Sequence, residues 1–280
     1  MNNSIGKIVS INKDLYSVRE GDNVFSLSVR GKLKNIKLTV GDNIEFNKNT
    51  LTIEKVLDRK NSLERPLVSN IDELFIVASS HLPNFSTYLI DKFLILSEAN
   101  SIKPVLIVTK LDLCAKEEIK EINRTLKYYK SIGYKVFTNK NIFRIKREMR
   151  GKVLALAGQT GAGKSTLLNK IDKTLNLETG EVSEALGRGR HTTRLTKLMY
   201  TNKALIADTP GFSSLELSLT KEQIRDSFIE FGFKCKYNTC MHTSKNGCDV
   251  IRRVEEGKIL KSRYDNYIKL ISEVKNEVKW

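Results

Sequence analysis

No stretch of this 280-residue chain stays apolar for long. Its longest apolar runs, such as Val153-Leu154-Ala155-Leu156-Ala157, fall far short of the roughly 20 residues a membrane-spanning helix needs. The start, Met1-Asn2-Asn3-Ser4-Ile5-Gly6-Lys7, lacks the apolar core of a secretory signal. These absences predict a cytoplasmic protein with no membrane partner. There is no internal repeat, no low-complexity segment and no polybasic tail. Cysteine is scarce: of four in the chain, three fall within 14 residues. A cytosolic protein does not normally keep disulfides, so that clustering needs another explanation.

Positive charge, by contrast, is plentiful. The net charge is +16, from 48 basic and 32 acidic residues, and the pI is near 9.6. The excess is shared as +4 over 1–67, +8 over 68–218 and +4 over 219–280. A polyanionic partner would therefore be met by several surfaces. Nucleic-acid contact is favoured over the blander reading, in which lysine simply fills exposed positions. A 40% apolar and 29% charged composition is ordinary for a globular protein, and the length suggests two or three domains.

Three textures follow one another. Residues 1–66 read as short strands (Lys7–Ile11, Leu15–Arg19, Val24–Arg30, Asn43–Phe46, Leu51–Val56) separated by Gly21-Asp22, Gly31 and Gly41-Asp42. Five short strands without a helical period suggest an OB-type β-barrel. On such a barrel Tyr16, Phe25 and Phe46 are either stacking surfaces for RNA or core residues. Residues 67–217 are α/β. The nearly continuous apolar runs Ile71–Ser79 and Pro104–Thr109 are expected of buried parallel strands, as are Lys152–Ala157 and Ala204–Ala207. Ser86–Asn100 and Lys116–Ile132 carry helical periodicity through Leu89, Ile90, Phe93 and Leu96, and through Ile119, Ile122, Leu126 and Tyr129. Residues 218–280 read as helical, with helices at Lys221–Phe231 and at Ile259–Val278. The expected architecture is thus a barrel, a central parallel sheet wrapped by helices, and a C-terminal helical module.

Gly158-Gln159-Thr160-Gly161-Ala162-Gly163-Lys164-Ser165-Thr166 follows an apolar strand and opens an apolar helix. That context makes it a phosphate-binding loop. Its glycines let backbone N–H groups turn toward phosphate oxygens beside a helix N-terminus. Lys164 would reach the β- and γ-phosphates, and the Ser165 hydroxyl would ligate Mg²⁺. Asp208-Thr209-Pro210-Gly211 ends the next strand; its carboxylate would hold Mg²⁺ and the Gly211 amide would sense the γ-phosphate. Thr109-Lys110-Leu111-Asp112 selects guanine, because a carboxylate can accept from both the ring N–H and the exocyclic amine. Thr109 stands where Asn is usual, yet its hydroxyl can bond the backbone of the phosphate loop. A second base-contacting segment would fall near Thr138-Asn139, with a poor match.

The basic loop Gly187-Arg188-Gly189-Arg190-His191-Thr192-Thr193-Arg194 would bring Thr193 or Thr192 to the Mg²⁺ when the γ-phosphate is present; as a solvated basic loop it would also touch nucleic acid. Phe212 occupies the position where many GTPases carry a water-orienting Gln. Phenylalanine cannot bond water, so intrinsic hydrolysis should be slow and partner stimulation is expected. His191 is the candidate within the chain for the missing contact, against a structural or RNA-contacting role. Cys235-x4-Cys240-x-His242-x5-Cys248 fits one structural Zn²⁺ with all four tetrahedral positions filled. Cys114 reads as a small buried apolar residue.

Leu63-Glu64-Arg65-Pro66 with Asn70-Ile71-Asp72, then TKLD before GQTGAGKST, GRGRHTTR, DTPGF and the Cys/His cluster, resemble the circularly permuted, small ribosomal subunit-dependent GTPase A family over nearly the whole chain. The resemblance implies an OB barrel, a permuted GTPase domain and a zinc domain. It further implies GTP and GDP as ligands with Mg²⁺, the small ribosomal subunit and its rRNA as partners, and GTP hydrolysis coupled to late subunit maturation; a monomer is expected. It also suggests that His191 takes part in switch closure or hydrolysis. The competing readings are a zinc- and OB-containing RNA-binding module with incidental nucleotide binding, and a P-loop ATPase or nucleotide kinase. The permuted order carries a mechanical expectation: DTPG runs within about 24 residues into Cys235, so loss of the γ-phosphate would move the tether of the zinc domain.

Overall fold

The structure is a computed structural model and describes residues 3–31, 36–64, 67–177, 197–208, 217–232 and 234–274. It begins with strands β1 (Asn3–Asn12), β2 (Leu15–Glu20), β3 (Asn23–Val29), β4 (Asn43–Asn47) and β5 (Thr52–Val56). Their order is β1-β2-β3-β5-β4, and β4 pairs back onto β1, so the sheet closes into a five-stranded barrel. Side chains alternate across each strand, which sends Ile44 and Phe46 inward to join Ile8, Val18, Leu27 and Ile53. Of the three aromatics that could have stacked on RNA, Phe46 is fully buried and Phe25 leans against it, ring centroids 5.2 Å apart. Tyr16 also packs on this core.

The chain leaves the barrel through a short hairpin, β6 (Ser62–Glu64) with β7 (Leu67–Ser69). Buried Asp42 pins this exit. It accepts from Arg59 Nε at 2.6 Å and Nη2 at 2.8 Å, from Ser69 Oγ at 2.6 Å and from the Thr39 amide at 2.8 Å. Opposing burial, those bonds hold its carboxyl below the usual range.

The central sheet comprises β8 (Glu73–Ser79), β9 (Lys103–Thr109), β10 (Lys135–Thr138), β11 (Val153–Ala157), β12 (Lys197–Thr201) and β13 (Ala204–Asp208), in the order β10-β9-β8-β11-β13-β12. Four helices accompany it: α1 (Thr87–Ala99), α2 (Lys116–Ser131), α3 (Ile142–Met149) and α4 (Lys164–Ile171). Leu74, Ile76, Leu106 and Val108 face Phe93 and Leu126 on one side. Phe75, Val77, Val105 and Ile107 face Ile145, Met149 and Leu167 on the other. Both faces being covered explains why these strands read as unbroken apolar runs.

Five of the six strands are parallel, the four expected and β10 at the edge, but β12 runs antiparallel to β13. It then meets β1 through Ser10 and Lys197, so barrel and sheet form one 11-stranded surface. The Arg19 guanidinium lies 3.5 Å from the ring centre of Tyr200 across that junction.

The C-terminal part holds α5 (Lys221–Asp226), α6 (Asp249–Glu255) and α7 (Lys261–Glu273). The first helix is shorter than expected. After Asp226 the chain turns so that Phe228 and Phe231 stack, ring centroids 4.7 Å apart, into a core with Ile224, Val250 and Tyr267. Helix α7 lies on α1. Fully buried Arg263 donates to Asp91 on α1 at 2.6 Å and to Glu230 at 2.7 and 3.0 Å. Asn266 donates to the same Asp91 at 2.6 Å.

Candidate functional site

The sheet grows leftward from β8 through β9 to β10 and rightward from β11 to β13. The order therefore reverses between β8 and β11, and ligands of open α/β sheets bind outside the carboxyl ends at such a point. The phosphate loop follows β11 at this crevice. Gly158 sits at φ 138° with its Cα against β8; a Cβ there would stand 2.1 Å from the Val77 carbonyl oxygen. Only glycine allows this approach. Gly161 and Gly163 are also left-handed, and Gly163 caps α4, whose first residue is Lys164.

Lys164 Nζ donates to the Gly158 carbonyl at 2.7 Å and to that of Gln159 at 2.9 Å. The loop is thus held in a nest around its own cation. Burial lowers the lysine below its usual range, which raises the value of an anionic partner. Ser165 lies in the first turn of α4, partly exposed, and Thr166 is exposed. Asp208 ends β13, whose Ala207 pairs with Ala155 of β11. Hydroxyl and carboxylate oxygens of this kind fit the hard, oxygen-seeking Mg²⁺.

One strand beyond β8, β9 delivers Thr109-Lys110-Leu111-Asp112. Thr109 is buried, and its Oγ1 donates to the Ala162 carbonyl inside the phosphate loop at 2.7 Å. Lys110 takes a left-handed conformation, φ 60°, and its Nζ donates to the Leu82 carbonyl. Leu111 opens a single 3-10 turn in which Asp112 is exposed and ready to accept. At the end of β10, the Asn139 amide donates to the Val108 carbonyl at 3.0 Å, while its side-chain Oδ1 is buried without a partner among the described residues. Ser80 was missed in the sequence: its hydroxyl donates to the Thr109 carbonyl at 2.7 Å and holds the turn after β9 from behind. A lone serine after a strand gives no signal for that. His191, Thr192, Thr193, Thr209, Gly211 and Phe212 lie outside the described residues, as does the side chain of Asp208.

The second cluster is complete. The ligand atoms of Cys235, Cys240, His242 and Cys248 lie within 4.8 Å of one another. Cys235 and Cys248 sulfurs are 4.0 Å apart, and each is 3.5 Å from His242 Nδ1. A tetrahedron with Zn–S of about 2.3 Å and Zn–N of about 2.0 Å has edges of this size. The His242 amide donates to Cys240 Sγ at 3.4 Å and the Asp249 amide to Cys235 Sγ at 3.3 Å, bonds that support thiolate charge. The donor set and its spacing fit one structural Zn²⁺ with no open position. Cys114 is partly buried, its Sγ 3.6 Å from the Ser80 carbonyl.

A phosphate loop at the switch point, the Thr109-Lys110-Leu111-Asp112 turn hydrogen-bonded to it, and the reversed order of the two along the chain define the class: a circularly permuted P-loop GTPase. Comparison with known proteins narrows this. The family described as RsgA GTPase matches residues 53–218. A small ribosomal subunit biogenesis GTPase RsgA from Latilactobacillus sakei is 39% identical over 97% of this chain and 96% of the relative. Another from Malacoplasma penetrans is 42% identical over 90% and 92%. The crystal structure of YjeQ from Thermotoga maritima superimposes with a TM-score of 0.85 at 33% identity, covering 97% of this chain and 98% of that one. That of YloQ, a circularly permuted GTPase, does so with a TM-score of 0.83 at 31% identity, covering 99% and 97%. The chain belongs to the RsgA GTPase family. No helix among the described residues is long and apolar enough to cross a membrane.

Proposed function

We propose that this chain hydrolyses GTP during late maturation of the small ribosomal subunit, binding the subunit's rRNA and being stimulated by it. The observation that carries the reading is the bond from Thr109 Oγ1 to Ala162. It ties the turn of Thr109-Lys110-Leu111-Asp112 to the phosphate loop, so that the two can face opposite ends of one guanine nucleotide. The chain divides by function into an RNA-contacting barrel over 1–66, the GTPase over 67–217 and the zinc module over 218–280. It works as a monomer in the cytoplasm.

On GTP binding, Lys164 exchanges the carbonyls of Gly158 and Gln159 for β- and γ-phosphate oxygens. The amides of Gln159 to Thr166 surround the phosphates. Asp112 accepts from the guanine ring N–H and amine, the Lys110 stem lies along the base, and Leu111 closes the turn. Ser165, Asp208 and Thr193 (or Thr192) would hold Mg²⁺, which would supply positive charge to neutralise that developing on the phosphate oxygens. Phe212 cannot orient the attacking water; His191, positioned by the subunit, supplies that contact. The Cys235, Cys240, His242 and Cys248 site would hold the C-terminal module together around one Zn²⁺.

Co-sedimentation with purified ribosomal subunits tests the reading. Association with the small subunit should be at least about tenfold tighter with a non-hydrolysable GTP analogue than with GDP, a coupling of about 1.4 kcal/mol. Equal association in both nucleotide states, or none with the small subunit, would contradict it.

A further inference from the structure

The face of α3 opposite its buried residues carries none of the nucleotide-binding motifs. Ile145 and Met149 fix the helix to the sheet. The other side shows Arg144 and Arg147 on successive turns, with Arg150 as the C-cap residue. At about 1.5 Å of rise per residue, these three guanidinium groups cover about 9 Å of helix axis. They border an open groove of about 430 Å³ with Phe137, Glu148 and Lys152. Phe143, one residue before the first arginine, is 79% exposed, the most exposed large apolar side chain among the described residues.

The charge of this groove is uncompensated. Glu148 is its single acid, and Lys135 at 2.6 Å and Lys152 at 2.5 Å already pair with it. Among the described residues, Arg144, Arg147 and Arg150 form no ion pair and no side-chain hydrogen bond. Lys140, in the turn before α3, and Lys146 add to the same excess. Three free guanidinium forks match phosphate oxygens, and an exposed ring beside them offers a stacking surface. An acidic peptide would satisfy the arginines but would leave Phe143 unexplained. A nucleic-acid strand uses both.

We propose that the α3 face is an RNA-binding site, in which Arg144, Arg147 and Arg150 contact consecutive phosphates and Phe143 stacks on an unpaired base. The proposal rests on the ribosomal reading for its natural ligand, rRNA, but not for its chemistry. It adds a contact on the GTPase body, separate from barrel and zinc module, at the sheet edge formed by β10.

The test compares wild type, the triple variant Arg144→Gln/Arg147→Gln/Arg150→Gln, its Arg→Lys counterpart and Phe143→Ala. Two probes are titrated over salt: a 20-nucleotide single-stranded RNA of mixed sequence and purified small subunits. Each lost phosphate contact should lower the slope of log affinity against log salt by about 0.7 to 0.9, so the triple variant loses about 2 to 3 units and at least about tenfold in affinity. The lysine variant retains the slope. Phe143→Ala weakens the oligonucleotide about tenfold with the slope unchanged. All four should hydrolyse GTP at the same basal rate. An unchanged slope and affinity on RNA in the triple variant overturns the proposal. So does a loss confined to subunits, which would mean that the face meets a ribosomal protein. If wild type ignores subunits altogether, the ribosomal reading fails, and the slope on naked RNA still decides this site. Wild type binding neither probe overturns it.

Discussion

Replacing Arg263 by Met tests what locks the zinc module to the GTPase. The side chains of Arg263, Asp91 and Glu230 are 1%, 0% and 3% exposed, so water cannot substitute for the lost cation. The methionine stem still packs beside Phe228, over which the guanidinium sits at 4.4 Å. What disappears is the charge that neutralises two buried carboxyls. Removing one member of such a group costs about 3–5 kcal/mol, a large part of a typical folding stability of about 5–15 kcal/mol. At about 2–4 °C per kcal/mol for chains of this size, the melting temperature should fall by roughly 6–20 °C.

The loss also depends on pH, with a definite sign. Burial pushes the Asp91 carboxyl up even beside Arg263, and without the arginine it rises further. A carboxyl whose folded pKa exceeds its unfolded value, near about 3.9, destabilises the fold at high pH; that cost starts to fade as pH falls below the folded pKa and is gone below the unfolded one. The deficit of Arg263→Met should therefore be largest at pH 8 and shrink toward pH 4. Adding Asp91→Asn and Glu230→Gln should restore most of the stability. Calorimetry of the wild type and these variants across pH reads this directly. A loss under about 1 kcal/mol that does not change with pH would show that charge pairing does not hold this seam.

Other perturbations address the nucleotide and metal sites. Asp112→Asn should shift preference from guanosine to xanthosine triphosphate, measured by competition with a fluorescent GTP analogue; unchanged GTP binding would remove the assigned base contact. Gly158→Ala places a Cβ 2.1 Å from the Val77 carbonyl at φ 138°, a region essentially confined to glycine. It should weaken GTP by at least about tenfold, or 1.4 kcal/mol, in isothermal titration. Cys240→Ser, or chelation of the wild type, should drop zinc content below one per chain. It should also remove much of the roughly 10–16 kcal/mol that such a site contributes to folding, seen as lost helical signal from α6 and α7. Zinc retained at one per chain in the serine variant would rule out Cys240 as a ligand.

The sequence made the motif-bearing parts of the fold visible because their physics is local. A phosphate loop needs glycines at fixed offsets, buried parallel strands read as continuous apolar runs, and metal ligands cluster. The seam through Arg263 is invisible at that level: on an amphipathic helix an arginine reads as surface, and its partner Asp91 is 172 positions away. Strand β12 was missed because Lys197 and Tyr200 alternate with buried Leu198 and Thr201 at a sheet junction, where neither face gives a clean pattern. Helix α3 was missed as well, its eight residues carrying only two buried positions between basic ones. The expected link from nucleotide to zinc module through the DTPG tether lies outside the described residues. Helix α1 carries Asp91 toward Arg263, and its Ser86 N-cap, Leu89 and Ile90 line a small cavity with Gly158 and Gln159.

In the proposed function this GTPase waits for the small subunit, because a phenylalanine at position 212 has no group to orient the attacking water. Steady-state GTP hydrolysis with no subunit, with purified large subunits and with purified small subunits tests it most directly, Lys164→Ala serving as the blank. Small subunits alone should accelerate hydrolysis at least tenfold, within a range reaching about 10³–10⁵ when a partner completes the transition-state contacts. A rate that is the same with and without small subunits, or raised equally by large ones, would contradict stimulation by the small subunit.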